Sequence, residues 1–277
     1  KLNIFLNKKI LIYGLGKSGL SSFKFLKSKN DVFLYDDNFS KIQILGSKKN
    51  VIKYKNIIET RFDKIIISPG ISKKNSIVKK LIMLNCNITT DIEILQTITK
   101  LNYICITGTN GKTSTVNLIS DILNSNHIKS LACGNNGVSV FKSLEDNYDF
   151  IVLEISSYQL EYIKKLKSHI SVILNLSTDH LERHETLKKY FNTKLKIFDN
   201  AKHKIINNNL ECSKKGTTFD VKNNSIYVNN RSIENLAFKN YNFISYKDEK
   251  YKINGRHEAY NLSACIAVLS ILGLSID

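Results

Sequence analysis

The chain has 277 residues and a formal net charge of +17, with 41 Lys and Arg set against 24 Asp and Glu. Its length accommodates two domains with separate cores, and no run of about 18 apolar residues offers a membrane span. Arginine occurs only at Arg61, Arg183, Arg231 and Arg256, and the lysines are scattered among Asn and Ile as in an AT-rich genome. That argues against a nucleic-acid surface, which needs clustered Arg forks and aromatics, while still favouring capture of anionic nucleotides.

In chain order, Lys9-Ile10-Leu11-Ile12-Tyr13 reads as a buried strand that turns through Gly14-Leu15-Gly16-Lys17-Ser18-Gly19 into a helix carrying Leu20, Phe23 and Leu26. A second strand, Val32 to Tyr35, ends at Asp36 and Asp37. Strand, G-x-G-x-x-G, helix, strand and acid form a Rossmann-like unit, with a pyrophosphate on the helix N-terminus and an acid suited to a ribose. Alone, that pattern favours a nicotinamide or flavin cofactor. Further strands are expected at Ile65–Ile67, closed by Ser68-Pro69-Gly70, and at Asn87–Thr89. A helix carrying Ile92, Leu95 and Ile98 leads to a domain boundary near residue 99.

The second unit opens on a phosphate loop. Tyr103 to Ile106 is an apolar strand, Gly108-Thr109-Asn110-Gly111-Lys112-Thr113-Ser114 follows, and Val116, Ile119 and Leu123 mark a helix. Backbone N–H groups at a helix start face an anion, Lys112 supplies a point charge to the β/γ-phosphates, and Thr113 supplies a hydroxyl to Mg²⁺. The common P-loop pattern wants a glycine where this chain has Ile106. Strands follow at Ser130–Ala132, Phe150–Leu153, Ile170–Leu174 and Lys204–Ile206. Glu154 sits at the C-terminal edge of a buried strand, where a metal-holding acid belongs. Asp179-His180 ends another, pairing an imidazole with an orienting carboxylate; His184 is read as surface. Lys194 lies on an amphipathic helix around Tyr190 to Phe198, and by residue type alone it is one more solvated lysine.

Residues 213–253 read as small antiparallel strands at Thr218–Val221, Ser225–Val228 and Tyr251–Ile253, joined by Asn-rich turns. Asn254-Gly255-Arg256-His257 then precedes a closing helix, Asn261–Leu272, with His257 and Asn261 four apart on one face. Cys86, Cys105, Cys133, Cys212 and Cys265 show no C-x-x-C spacing, which suits a reduced cytoplasmic protein. The start at Lys1-Leu2-Asn3, without Met, and the abrupt end at Asp277 suggest a piece of a longer protein. The fold class expected is α/β: a Rossmann-like domain, then a P-loop domain with a mainly parallel sheet and a small antiparallel β region.

The departure at Ile106 is informative, because Gly-Thr-Asn-Gly-Lys-Thr after an Ile-Thr strand end resembles the loop of the Mur ligase and folylpolyglutamate synthetase superfamily. Ile12 to Ser21, Ser68-Pro69-Gly70-Ile71, Asp91-Ile92-Glu93, Gly134-Asn135, Leu153 to Glu161 and Asp179 to His184 extend the likeness almost end to end, to the D-glutamate-adding Mur ligases. Folylpolyglutamate synthetase lacks such an N-terminal glycine-rich domain. The resemblance implies residues 1–98 as a UDP-substrate domain, residues 99–277 as the central ATP domain, and a third, D-glutamate-binding domain outside this chain. It replaces NAD by the uridine diphosphate of UDP-N-acetylmuramoyl-L-alanine, with Gly14, Leu15, Gly16, Lys17, Ser18 and Gly19 at the diphosphate and Asp36 near the uracil. It implies ATP phosphorylating the alanine carboxylate, and D-glutamate attacking the acyl phosphate to form an amide. It places Mg²⁺ on Thr113 and Glu154, a second metal near His180 and Lys194, and a CO₂-derived carbamate on Lys194. Asn135, Ser156 and Gln159 fall at substrate, and Asn261 near the adenine nucleotide. Asn136 and Glu258 depart from the family pattern. The implied protein is a cytoplasmic monomer, with no nucleic-acid or membrane partner. An NAD-dependent oxidoreductase, a non-catalytic nucleotide-binding fragment and a different Mur-type ligase are the alternatives.

Overall fold

A computed structural model describes residues 6–43, 50–210, 216–222, 225–229, 231–239, 243–246, 249–252 and 255–274. Lys1 to Asn3, Cys212, Ile253, Asn254 and Ser275 to Asp277 lie outside the described residues. The chain divides into two compact units, residues 1–100 with 137–146 and 156–166, and residues 101–136 with 147–155 and 167–277.

The first unit is built on β1 (Lys9–Tyr13), α1 (Lys17–Leu26), β2 (Asp31–Tyr35), α2 (Phe39–Gln43), α3 (Tyr54–Glu59), β3 (Lys64–Ile67), α4 (Ser76–Met83), β4 (Ile88–Thr89) and α5 (Asp91–Ile98). Its sheet runs β2-β1-β3-β4, every pair parallel. Ile10 to Tyr13 and Ile65 to Ile67 are apolar without alternation because helices cover a parallel sheet on both faces, and all are buried. The edge strand β2 does alternate, with Val32 and Leu34 buried and Phe33 and Tyr35 half-buried.

The second unit contains β5 (Asn102–Thr107), α6 (Lys112–Ser125), β6 (Ser130–Gly134) and β7 (Phe150–Glu154). The chain then gives α7 (Ser157–Tyr162) to the first unit before returning as β8 (Ser168–Ile173), α8 (Leu181–His184), α9 (Leu187–Leu195) and β9 (Ala201–Asn207). β10 (Thr217–Lys222), β11 (Ser225–Val228), β12 (Arg231–Lys239), β13 (Phe243–Tyr246), β14 (Glu249–Lys252) and α10 (Arg256–Leu272) complete it. The sheet order is β14-β13-β12-β11-β10-β9-β8-β5-β7-β6, parallel from β10 through β6 and antiparallel from β10 to β14. Ile104, Ile106, Val152, Val172 and Ile205 of the strands bury against Val116, Ile119 and Leu123 of α6 and Ala264, Cys265 and Val268 of α10.

The structure adds elements that the sequence pattern does not signal, among them the helices α2, α3, α4 and α8. β12 is not signalled, because Glu234 and Asn235 stand side by side and spoil the period-2 alternation across residues 231–239; the four-residue β13 is not signalled either. The last helix begins at Arg256 rather than at Asn261. Gly255, at φ +82°, breaks the chain immediately before it, and its polar first turns mask the apolar periodicity that begins later. Among the described residues no helix is long and apolar enough to cross a membrane.

Candidate active site

The phosphate loop joins the C-terminal end of β5 to α6. Gly111, at φ +80°, is the N-cap of α6, and a Cβ there would lie 2.2 Å from Asn261 Oδ1. Helix α10 therefore packs its amide directly on the loop at a place only glycine permits. On the other side Asn175, just past β8, grips Asn110 twice: Asn110 N donates to Asn175 Oδ1 at 2.8 Å, and Asn175 Nδ2 donates to Asn110 O at 3.0 Å. Thr109 is buried, accepting from Ser177 N at 3.1 Å and lying 3.2 Å from the Tyr190 hydroxyl. Ser114 is exposed on the first turn of α6.

Two ammonium groups reach one carbonyl of this loop. Lys112 Nζ donates to Gly108 O at 2.9 Å and Thr109 O at 2.7 Å. Lys194 Nζ, from α9, donates to the same Gly108 O at 2.8 Å and to Thr107 Oγ1 at 3.3 Å. Lys194 is 2% exposed, with its ammonium 4.8 Å from the centre of the Tyr190 ring. Burial, with a smaller contribution from the Lys112 charge, lowers its pKa from 10.5 to about 7. Burial also lowers that of Lys112, against the pull of Glu154 and Asp179.

Glu154, the last residue of β7, is buried and takes one bond on each carboxylate oxygen: Thr113 Oγ1 donates to Oε2 at 2.6 Å and Asn135 Nδ2 to Oε1 at 2.8 Å. These hard oxygens on Thr113 and Glu154 suit Mg²⁺. The other expected metal pair is different. His180 is 43% exposed, with Nε2 3.4 Å from Asp179 and Nδ1 3.6 Å from Glu182. Lys194 as an ammonium has no lone pair for a cation, so this second pair fits a metal only once the amine has become an oxygen donor. Among the described residues no group of three His, Cys, Asp or Glu could hold a metal ion.

Tyr190 joins the site although its residue type gave it no role. It is buried, and its ring lies 5.2 Å from that of His184 and 6.3 Å from that of His180. Its position four residues before Lys194, on the same helical face, was the available signal. His184, expected at the surface, is buried instead, because Tyr190 gives it a ring to pack on. A cavity of about 340 Å³ beside the loop is lined by Asn110, Asn175, Ser177, Asn207, His257 and Tyr260. Glu258 is half-buried on the first turn of α10.

In the first unit the glycine-rich turn is tightly held. Gly14 N donates to Tyr35 O at 2.8 Å, Ser68 Oγ donates to Gly14 O at 2.6 Å, and a Cβ on Gly19 would stand 1.9 Å from Gly14 O. Gly16, by contrast, has open space where a Cβ would stand, with nothing within 4 Å, and leaves room for a ligand's close approach. Ser18 Oγ donates to the buried Asp91 at 2.6 Å, and burial pushes the Asp91 carboxyl up. Lys17 Nζ lies over Gly137. Asp36 is turned inward: Leu15 N donates to its Oδ2 at 2.6 Å, Asn38 N to its Oδ1 at 2.8 Å, and Lys41 pairs with it at 3.5 Å. Ser156 and Gln159 form a reciprocal capping box on α7, with Gln159 Oε1 2.9 Å from Ser156 N. Their side chains thus have a structural task.

Residues 106–269 match the Mur ligase middle domain. The UDP-N-acetylmuramoylalanine–D-glutamate ligase of Rickettsia bellii (strain RML369-C) is 34% identical over 295 residues, which cover 99% of this chain and 65% of that protein. The ligase of the same name from Pasteurella multocida (strain Pm70) is 31% identical over 287 residues, 98% of this chain and 64% of its own length. The chain thus spans a little under two thirds of these curated relatives. Among solved structures, the UDP-N-acetylmuramate-alanine ligase MurC from Thermotoga maritima shares the fold with a TM-score of 0.58 at 20% identity, over 98% of this chain and 66% of that one.

Proposed function

The chain belongs to the Mur ligase family, and from that premise we propose that it forms the UDP-substrate and ATP-binding part of an ATP-dependent ligase that joins D-glutamate to UDP-N-acetylmuramoyl-L-alanine in peptidoglycan precursor synthesis. The observation that carries this reading is the convergence of Lys112, Thr113, Glu154 and Lys194 on one phosphate loop. ATP with Mg²⁺, when bound, supplies the phosphoryl group that makes the alanine carboxylate reactive toward an amine.

The residues divide the work. Lys112 moves its ammonium from the Gly108 and Thr109 carbonyls to the β/γ-phosphates, helped by the N–H groups of Gly108, Thr109, Asn110 and Gly111. Thr113 and Glu154 would hold Mg²⁺ by oxygen, with Asn135 steadying the far carboxylate oxygen. Asn261 fixes Gly111 from behind and borders the adenosine side of the loop. Lys194, with its pKa lowered to about 7, has a substantial neutral fraction at physiological pH. Its lone pair attacks CO₂, a C–N bond forms, one proton leaves to solvent, and the resulting carbamate would offer an oxygen donor to a metal held with His180. In residues 1–98, Gly14 to Gly19 hold the diphosphate, with Asp36 keeping Leu15 in place from below. The D-glutamate site is assigned to sequence that the relatives possess outside the matched region, so residues 1–277 bind the UDP-substrate without making the amide. Buried free thiols at Cys105, Cys133 and Cys265 accord with a cytoplasmic setting, and we assign a monomer.

The test uses the protein at the length of its relatives, incubated with ATP, Mg²⁺, UDP-N-acetylmuramoyl-L-alanine and D-glutamate. Mass spectrometry should find the glutamylated product in step with ADP. Loss of both in Lys112→Ala, by at least ~100-fold, is expected from removal of a transition-state charge contact. Undiminished turnover in that variant would refute the assignment.

A further inference from the structure

The edge of the first unit's sheet opposite the glycine-rich turn has no part in the chemistry above. β1, β3 and β4 are parallel, and α4 returns from the end of β3 to the start of β4. The end of α4 therefore lies where the strands begin, while Gly14 to Gly19 follow the end of β1. There the chain leaves Ile82, Met83 and Leu84 in water one after another, Met83 at 80% and Leu84 at 56% exposure. Ile77, Val78 and Leu81 already supply the buried face of this helix, so the apolar run goes beyond what the core uses. Tyr54, the first residue of α3, is exposed as well, and Lys80 Nζ lies 6.0 Å from the centre of its ring. Of the large apolar side chains exposed among the described residues, only Leu181 and Leu187 lie elsewhere. Such clustering marks an interaction surface.

The same edge is basic. Lys53 and Lys55, on either side of Tyr54, line with Lys9 a cavity of about 600 Å³ whose other walls include Phe33, Val51 and Ile52. Lys9 is the first residue of β1, and its Nζ stands 5.6 Å from the centre of the Phe33 ring. Three ammonium groups around one cavity repel one another unless an anion comes between them. The only acids between residues 50 and 87 are Glu59 and Asp63, and Asp63 is engaged by Lys9 N at 2.8 Å and Lys8 Nζ at 3.9 Å. An apolar tip with a basic rim complements a bilayer whose surface is anionic, the tip entering the headgroup boundary and the ammonium groups meeting lipid phosphates. A second copy complements it badly, because a two-fold contact through this patch sets Lys53, Lys55 and Lys80 against their own counterparts. Nucleic acid would answer the charge and leave Met83 and Leu84 in water.

We propose that this edge of the first unit is a peripheral docking surface for an anionic lipid bilayer, with Ile82, Met83 and Leu84 as the inserted tip and Lys53, Lys55 and Lys80 as the phosphate contacts. Docked in this way, the unit holds its glycine-rich turn at the edge away from the lipid, open to ligands from solution. The inference stands independently of the ligase reading. It narrows the expectation of no membrane partner to the lack, among the described residues, of a helix able to span one.

Flotation of the 277-residue chain, and of the protein at the length of its relatives, tests it with vesicles of phosphatidylcholine alone or with about 30% phosphatidylglycerol. Both proteins should float with the anionic vesicles and stay behind with the neutral ones. Met83→Ser with Leu84→Ser keeps the charge and should weaken binding about tenfold or more. Lys53→Gln with Lys55→Gln should weaken it about fivefold per lysine. Lys188→Gln with Lys202→Gln, two exposed lysines of the second unit, should weaken it less than about twofold, because charges far from the lipid are screened. The chain contains no tryptophan, so Met83→Trp supplies a single reporter; its emission should shift to the blue on anionic vesicles and be quenched by brominated acyl chains. Equal losses in the two lysine pairs, full binding by the serine variant, or an unshifted reporter overturns the inference in favour of unspecific charge adsorption. Self-association without vesicles that the serine variant abolishes overturns it in favour of a second copy. Flotation of the 277-residue chain alone, and not of the longer protein, overturns it in favour of cover by the remaining sequence. Absence of flotation by both overturns it outright.

Discussion

Replacing Lys194 by Met should separate the stability cost of this residue from its use. The lysine is buried, and its pKa falls from 10.5 in a solvated chain to about 7 in the fold. Between those two values the unfolded chain binds a proton that the native protein does not. Native stability therefore rises with pH across that window, by up to about 1.4 kcal/mol per unit, and levels off below it. The whole effect is on the order of 5 kcal/mol. Met fills a similar volume and has nothing to titrate. It also forfeits the bonds to Gly108 O and Thr107 Oγ1; Gly108 O keeps its bond from Lys112, so the pH-independent loss is roughly 1 kcal/mol. The two contributions oppose each other at neutral pH, where the cost of the buried lysine is the larger, and the informative quantity is the slope. Urea unfolding of both proteins in CO₂-free buffer, from about pH 7 to about pH 10, should show the Lys194 protein gaining steadily on Lys194→Met. Parallel stability curves would refute the claim that a desolvated cation sits under the loop. Adding bicarbonate at about pH 8 should stabilise the lysine protein alone, because a product formed only in the native state shifts the equilibrium toward it.

Other consequences are equally open to measurement. In the longer protein, Lys194→Ala should be nearly inactive in an ADP-release assay, and acetate should partly restore turnover by supplying the missing oxygen ligand. Gly111→Ala drives a methyl into Asn261 and needs a left-handed backbone; thermal unfolding should show a loss of about 1 kcal/mol or more, with weaker ATP binding. Tyr190→Phe removes the contact with Thr109 and should cost roughly 1 kcal/mol in the same assay while retaining nucleotide affinity within a few-fold.

Much of the fold was legible because parallel strands buried on both faces are written as unbroken apolar runs, as in Ile10 to Tyr13, Ile65 to Ile67 and Ile104 to Ile106. The phosphate loop and Glu154 could be placed because each stands immediately after such a run. Lys194 could not be found from residue type: α9 is polar overall, and what buries the ammonium is a carbonyl 86 residues away. No local pattern encodes that. The inward turn of Asp36 was available in principle, since the alternation of β2 puts it on the buried side with Val32 and Leu34. The capping box of Ser156 and Gln159 was also visible in spacing, Ser-x-x-Gln ahead of a helix.

The glycine-rich turn owes its shape to groups that a ligand need not touch. Ser68 grips Gly14 from β3, Tyr35 O and Asp36 grip Gly14 and Leu15 from β2, and Gly19 seats the helix on the turn. The freedom that a loop ordinarily surrenders when it closes on a phosphate has therefore already been given up during folding. Association should proceed with little entropic loss from the protein, and the rate of capture should be set by diffusion and charge rather than by loop rearrangement. A substitution at Ser68 would then register in the entropy of binding before it registered in any contact.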